Sequence, residues 1–124
     1  MQNYNDKEID ILALQIGCLI KFKRLEKNLS QEDVGLLIGS NATMIGRVER
    51  AETSPSWQNL LKIFQAVELN NESLFQLKSL EENLSIVEKC LSLEKKLTKE
   101  KQDYYEAVKK LLKDKYKNLN KRKS

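Results

Sequence analysis

The chain has 124 residues, 32% of them charged and 40% hydrophobic, with four glycines and one proline; so few backbone breakers among so many Lys, Glu and Leu residues predict an all-α protein. Histidine is absent, and Cys18 and Cys90 form no CxxC pair, which argues against a zinc site, a disulfide framework or histidine-based catalysis. No phosphate-cradling glycine motif, no nucleophile elbow, no signal-peptide profile and no apolar run of the roughly 20 residues a membrane span needs can be found, so the expectation is a cytoplasmic, non-enzymatic protein with no cofactor, no metal and no membrane partner.

In chain order, a first helix is predicted from Asn5 or Asp6, with Glu8 completing a capping box, through Leu12, Ile16 and Ile20 to about Lys27, where Asn28 can end it. Ser30 caps a short second helix, Gln31 to about Ile38, with Val34, Leu37 and Ile38 as its apolar face, and Gly39 suits the left-handed residue that closes a helix. Asn41 caps a third, Ala42 to about Arg50, with Ile45 and Val48 turned inward. Pro55 and Ser56 open a fourth, carrying Trp57, Leu60, Leu61, Phe64 and Val67. Asn70 is read as the cap of a fifth that starts near Glu72. Beyond it neither glycine nor proline occurs, so residues 76–118 read as one long helix or two joined ones.

Two short helices about three residues apart, the first with a small residue in its middle, make a helix-turn-helix pattern. Where the two helices cross closely the contact residue must be small, and Gly35 falls there; Gly39 supplies the turn. Spacing alone leaves open an αα-corner that reads nothing.

The stretch from Ile16 to about Phe75 resembles the Cro/CI-type (XRE-type) helix-turn-helix regulators. The resemblance is carried in order and without a gap by IG at 16–17, Ile20, Arg24, LSQED at 29–33, GSNATMIGRVER at 39–50, SPSW at 54–57, LLKI at 60–63 and NNESLF at 70–75. It implies a five-helix, lambda-repressor-like domain whose third helix enters the major groove of double-stranded DNA, as a dimer on a palindromic operator. It also assigns Ala42, Thr43, Met44 and Arg47 to base edges and Gln31 to a phosphate. Helical spacing independently puts Thr43, Arg47 and Arg50 on a stripe opposite Ile45 and Val48, whereas Met44 serves equally as edge-of-core packing. Lys21, Asn41, Arg50 and Ser54 are the further phosphate candidates. Arg24 and Glu49 match the family's buried ion pair, a structural role that removes Arg24 from the DNA-binding cations. Ala42 and Gly46 replace longer polar residues, so specificity is expected to lean on Arg47, Thr43 and DNA shape.

Beside the core-facing Ile16 and Ile20, the first helix carries a second apolar seam of Ile11, Leu14, Cys18, Phe22 and Leu25, in which Cys18 reads as a small hydrophobe. In the tail, Leu77, Leu80, Leu84, Val87 and Leu91 follow coiled-coil spacing. That register weakens from Glu94 to Asp103, where a bend, a solvated stretch or a turn fits, and resumes at Tyr105, Val108, Leu112 and Leu119, with Cys90 beside the seam. The expected organisation is an N-terminal extension and helix start at 1–10, a DNA-binding domain at 11–77, and a C-terminal helical, coiled-coil-like segment at 78–124. The last would form a homodimer with the outer seam of the first helix packed on it. Residues 1–77 carry 8 Lys/Arg against 10 Asp/Glu, and residues 78–124 carry 14 against 8, ending in Lys121-Arg122-Lys123. Such a basic tail either adds phosphate contacts or simply keeps lysine-rich faces solvated. The function expected is a sequence-specific DNA-binding transcriptional regulator acting as a repressor. The alternative is an antitoxin-like or adaptor module whose C-terminal helix grips a protein partner.

Overall fold

The computed structural model describes residues 3–70 and 72–121; Asn71, within the NNESLF motif, and the basic end at Arg122-Lys123 lie outside them. Among the described residues every regular element is helical: α1 Asp6–Glu26, α2 Gln31–Leu37, α3 Ala42–Glu49, α4 Trp57–Val67, a 3-10 turn at Glu72–Phe75, α5 Leu80–Leu93 and α6 Lys99–Lys121.

The helix starts follow from side chains that accept otherwise unsatisfied backbone N–H groups. Asn5 accepts from the Glu8 amide in a reciprocal capping box, Ser30 from Asp33 in another, Asn41 from Met44 and Ser56 from Asn59. The ends of α1, α2, α3 and α4 share one device, a residue at positive φ followed by an amide that reaches back across the last turn. Asn28, Gly39, Ala51 and Glu68 hold those positions, and the returning bonds are Leu29 to Arg24, Ser40 to Gly35, Glu52 to Arg47 and Leu69 to Phe64. Only Gly39 adopts this backbone without steric cost.

α1 to α4 enclose a core of Ile20, Val34, Ile38, Ile45, Val48, Ile63, Phe64, Val67, Leu69 and Leu74. Leu37, read as part of the apolar face of the second helix, is instead exposed: it is the last residue of α2, and Val34 and Ile38 already fill that side. Trp57 and Leu61 of α4 also point largely to solvent.

The predicted fifth helix near Glu72 is only a four-residue 3-10 turn, and Asn70 does not open an α-helix there. The buried side chain of Gln15 on α1 competes for this backbone. Its amide donates to the Gln76 carbonyl at 2.8 Å and its oxygen accepts from the Lys78 amide at 2.9 Å. Helix resumes at Leu80, where Ser79 and Glu82 form a capping box. Gln15 also accepts from Asn83, which donates to Tyr116; Tyr116 in turn donates to the Lys78 carbonyl. The connecting segment is thereby tied to α1, α5 and α6 at once.

The tail is a helical hairpin that turns at residues 94–98, where Glu94 leaves helical geometry and Thr98 accepts from the Lys101 amide. It folds back on its own chain. Leu80, Leu84, Val87 and Leu91 pack with Leu14, Cys18, Phe22 and Leu25 of α1 and with Tyr105, Val108 and Leu112 of α6. Cys90, expected beside this seam, is buried within it, because α6 covers the flank that a single straight helix would leave open. Ile11 is fully buried as well. The seam expected to join two copies therefore closes within one, and residues 11–77 and 78–121 share α1 as a common wall.

Candidate nucleic-acid interface

Two close approaches set α3. A Cβ at Gly35 would lie 2.6 Å from the carbonyl carbon of Asn41, and one at Gly17 would lie 2.4 Å from the Glu49 carbonyl oxygen. Both are shorter than a carbon side chain tolerates, so α2 meets the start of α3, and α1 the end of it, only because these residues lack side chains. The role of Gly35 was legible in the motif spacing. That of Gly17 was not, since its neighbour lies 32 positions along the chain.

Charge then locks the arrangement. Arg24 donates to Glu49 through Nε at 2.6 Å and through a terminal nitrogen at 3.1 Å, and to the Leu29 carbonyl at 2.9 Å. Gln31 completes the cluster, its amide donating to Glu49 Oε1 at 3.0 Å. Arg24 and Glu49 are both buried. Such a pair contributes geometry more than net stability, because desolvation offsets much of its attraction.

Along the outer edge of α3, Asn41, Thr43, Arg47 and Arg50 are exposed, Ala42 and Met44 are half-buried, and Ile45 and Val48 are buried behind them. Met44 packs at the margin of the core. Asn41 has its side-chain oxygen engaged as the cap of α3. Gly46 is buried beneath the ends of the Gln31 and Arg50 side chains, so the outer edge of α3 presents Thr43 and Arg47 rather than residue 46. Arg50 is paired with exposed Glu52 through Nε at 2.6 Å, which raises its pKa; an exposed pair of this kind is worth little and a phosphate can displace it. Ser54 is exposed in the following loop.

Lys21 stands apart from the other phosphate candidates. Its ammonium lies 4.5 Å from the ring centres of both Tyr104 and Tyr105 and 3.9 Å from Glu94, and burial lowers its pKa against the pull of Glu49 and Glu94. It is spent on holding the hairpin. Nothing in the sequence near Lys21 signals this, because its partners are more than 70 residues away.

Among the described residues no group of acidic, cysteine or histidine side chains could hold a metal ion, and no helix is long and apolar enough to cross a membrane.

Comparison with known proteins places this geometry. Neither a curated protein nor a solved structure matches the chain. A helix-turn-helix family model matches residues 20–69, from within α1 to the end of α4, leaving the α5–α6 hairpin outside the match. Residues 20–69 are thus a helix-turn-helix domain of the Cro/CI (XRE) type, the domain of DNA-binding transcription regulators.

Proposed function

We propose that the protein is a sequence-specific transcriptional repressor that inserts α3 into the major groove, Thr43 and Arg47 reading base edges with Ala42 and Met44 at the margin. Gln31, Asn41, Arg50 and Ser54 hold phosphates. One observation carries the reading: the Thr43–Arg47–Arg50 edge is open while the opposite side of α3 is anchored by Ile45, Val48 and Glu49. A guanidinium so presented can donate two hydrogen bonds to a guanine, worth about 1–3 kcal/mol of discrimination. Repression follows by occlusion of a promoter.

Dimerisation belongs to the same proposal but not to the tail seam, which is occupied by α1. Trp57, Leu61 and Phe75 remain exposed and line one open groove with Leu74, and Trp57 also borders the Thr53–Pro55 loop that follows α3. A second copy docked there adjoins the loop flanking the recognition helix. Successive turns of DNA are roughly 34 Å apart, the spacing that the two copies of α3 in such a dimer must meet. No observation favours the antitoxin-like or adaptor reading.

The test is selection of bound duplexes from a random pool, followed by titration of the Arg47→Ala and Arg50→Ala variants on a selected and a scrambled duplex. Arg47→Ala should flatten the preference between the two, and Arg50→Ala should weaken both alike. If neither variant alters retention on DNA, the proposal fails. Sedimentation of Trp57→Asp against the parent chain tests the dimer surface.

A further inference from the structure

The α5–α6 hairpin lies outside the helix-turn-helix match, yet its turn is fastened beside the end of α3. Lys21, Glu49, Tyr104 and Tyr105 line one cavity of only about 10 Å³, so the groups around it are closely packed. Ala51, the residue that closes α3, packs in the same cluster as Tyr104, and Arg50 and Tyr104 are near enough for each to influence the other's ionisation.

The charges at this turn are sorted. Glu94 is turned inward, accepting from Tyr105 at 2.5 Å and facing Lys101 at 3.3 Å and Lys21 at 3.9 Å. Burial works to raise its pKa, but the Tyr105 hydrogen bond and the two lysines outweigh it and keep the carboxylate ionised. Its negative charge is thereby neutralised inside the fold. Lys95, Lys96 and Lys99 remain exposed around it, with the exposed acids Glu100 and Asp103 at the start of α6.

We propose that this turn is a second DNA-contacting element, in which Lys95, Lys96 and Lys99 grip the phosphate backbone flanking the base pairs read by α3. The assignment rests on α3 being the recognition helix, and it supplies positive charge that the first 77 residues, with their excess of acids, lack. The ligand is a run of backbone phosphates, so the contact adds affinity and salt dependence without base preference.

The experiment compares the parent chain with Lys95→Gln/Lys96→Gln/Lys99→Gln and with Lys110→Gln/Lys113→Gln/Lys117→Gln. The second variant removes the same charge from exposed positions farther along α6. Each is titrated over a range of salt on a duplex selected by the parent and on a scrambled duplex, and thermal melting confirms the fold. The turn variant should lower the slope of log affinity against log salt by about 2–3 and weaken both duplexes by the same factor, while the distal variant stays near the parent. If the turn variant binds like the parent, or the distal variant loses as much, the turn is not a contact and the inference is overturned. If the parent retains neither duplex, the DNA-binding reading falls and this inference with it. If the parent binds and Arg47→Ala flattens its preference while the turn variant is unchanged, only this inference falls.

Discussion

Replacing Arg24 by alanine removes the hydrogen-bonded cation from a buried cluster and leaves Glu49 with the Gln31 amide as its remaining hydrogen-bond donor and Lys21 as a more distant charge. Stranding one charge in this way typically costs about 3–5 kcal/mol. The unfolding entropy of a chain this long is roughly 0.26 kcal/mol/K, so the melting temperature should drop by about 12–19 °C. Glu49→Met should cost a similar amount, because it leaves the guanidinium with the Leu29 carbonyl as its remaining partner. The double variant Arg24→Met/Glu49→Met removes both charges and fills much of the same volume, so its loss should fall well short of the sum of the single losses. Circular dichroism melts of the four chains measure the coupling. An unchanged melting temperature for Arg24→Ala, or strict additivity in the double variant, would refute the argument that the cluster acts as a buried electrostatic unit. The double variant also separates stability from placement: it should fold yet bind a selected duplex less discriminately, since Gln31 then has no carboxylate to join α2 to α3.

Gly35→Ala would press a methyl against the Asn41 backbone, so the variant should lose at least about 1–3 kcal/mol and bind DNA more weakly than Ala42→Gly; equal stability of the parent and Gly35→Ala in urea would count against the close crossing. Burial pushes the Cys18 thiol up from 9.0 to about 11 and that of Cys90 to about 12, so iodoacetamide at pH 8 should label the unfolded chain quickly and the native chain slowly. The same raised values mean that thiols ionise first in the unfolded state, so stability should decline as pH rises through 9 toward 11, a decline that Cys18→Ala/Cys90→Ala should lessen. Gln15→Ala leaves the Lys78 amide and the Gln76 carbonyl without their partner and should cost about 1–3 kcal/mol, with faster hydrogen exchange at Lys78 as the local readout; protection equal to that of the parent would refute the role given to Gln15.

What could be read from the sequence was what short-range chemistry determines. Asn5 with Glu8, Ser30 with Asp33 and Asn41 with Met44 act within one helical turn, so the starts of α1, α2 and α3 are local properties. The exposed edge of α3 follows from periodicity in the same way. The fifth helix was misplaced because its boundary is decided by Gln15, some 60 residues earlier, which takes the backbone groups a helix at Glu72 would use. The local signal for the true start, Ser79 with Glu82, was present but stood inside an apolar register that already read as continuous helix. The partners of the outer seam of α1 were ambiguous for a related reason. A 3–4 repeat records that a surface is covered, not whether the cover belongs to the same chain. The surroundings of Lys21 were not legible because an exposed lysine and one caged by two tyrosines look alike in sequence.

The position of α1 joins these observations. One face of it supplies Ile20 to the helix-turn-helix core, another supplies Leu14 and Cys18 to the hairpin core, and between them Gly17 and Arg24 bear directly on Glu49 at the end of α3. A displacement of the hairpin must therefore either open the Leu14–Cys18 face to water or carry α1 with it. Carrying α1 along would draw Arg24 away from Glu49, and a buried carboxylate without its cation is the costliest arrangement available here. The hairpin and α3 thus hold one another in register through a single helix, and if α3 reads DNA as proposed, substitutions in the hairpin core should alter DNA affinity through its placement.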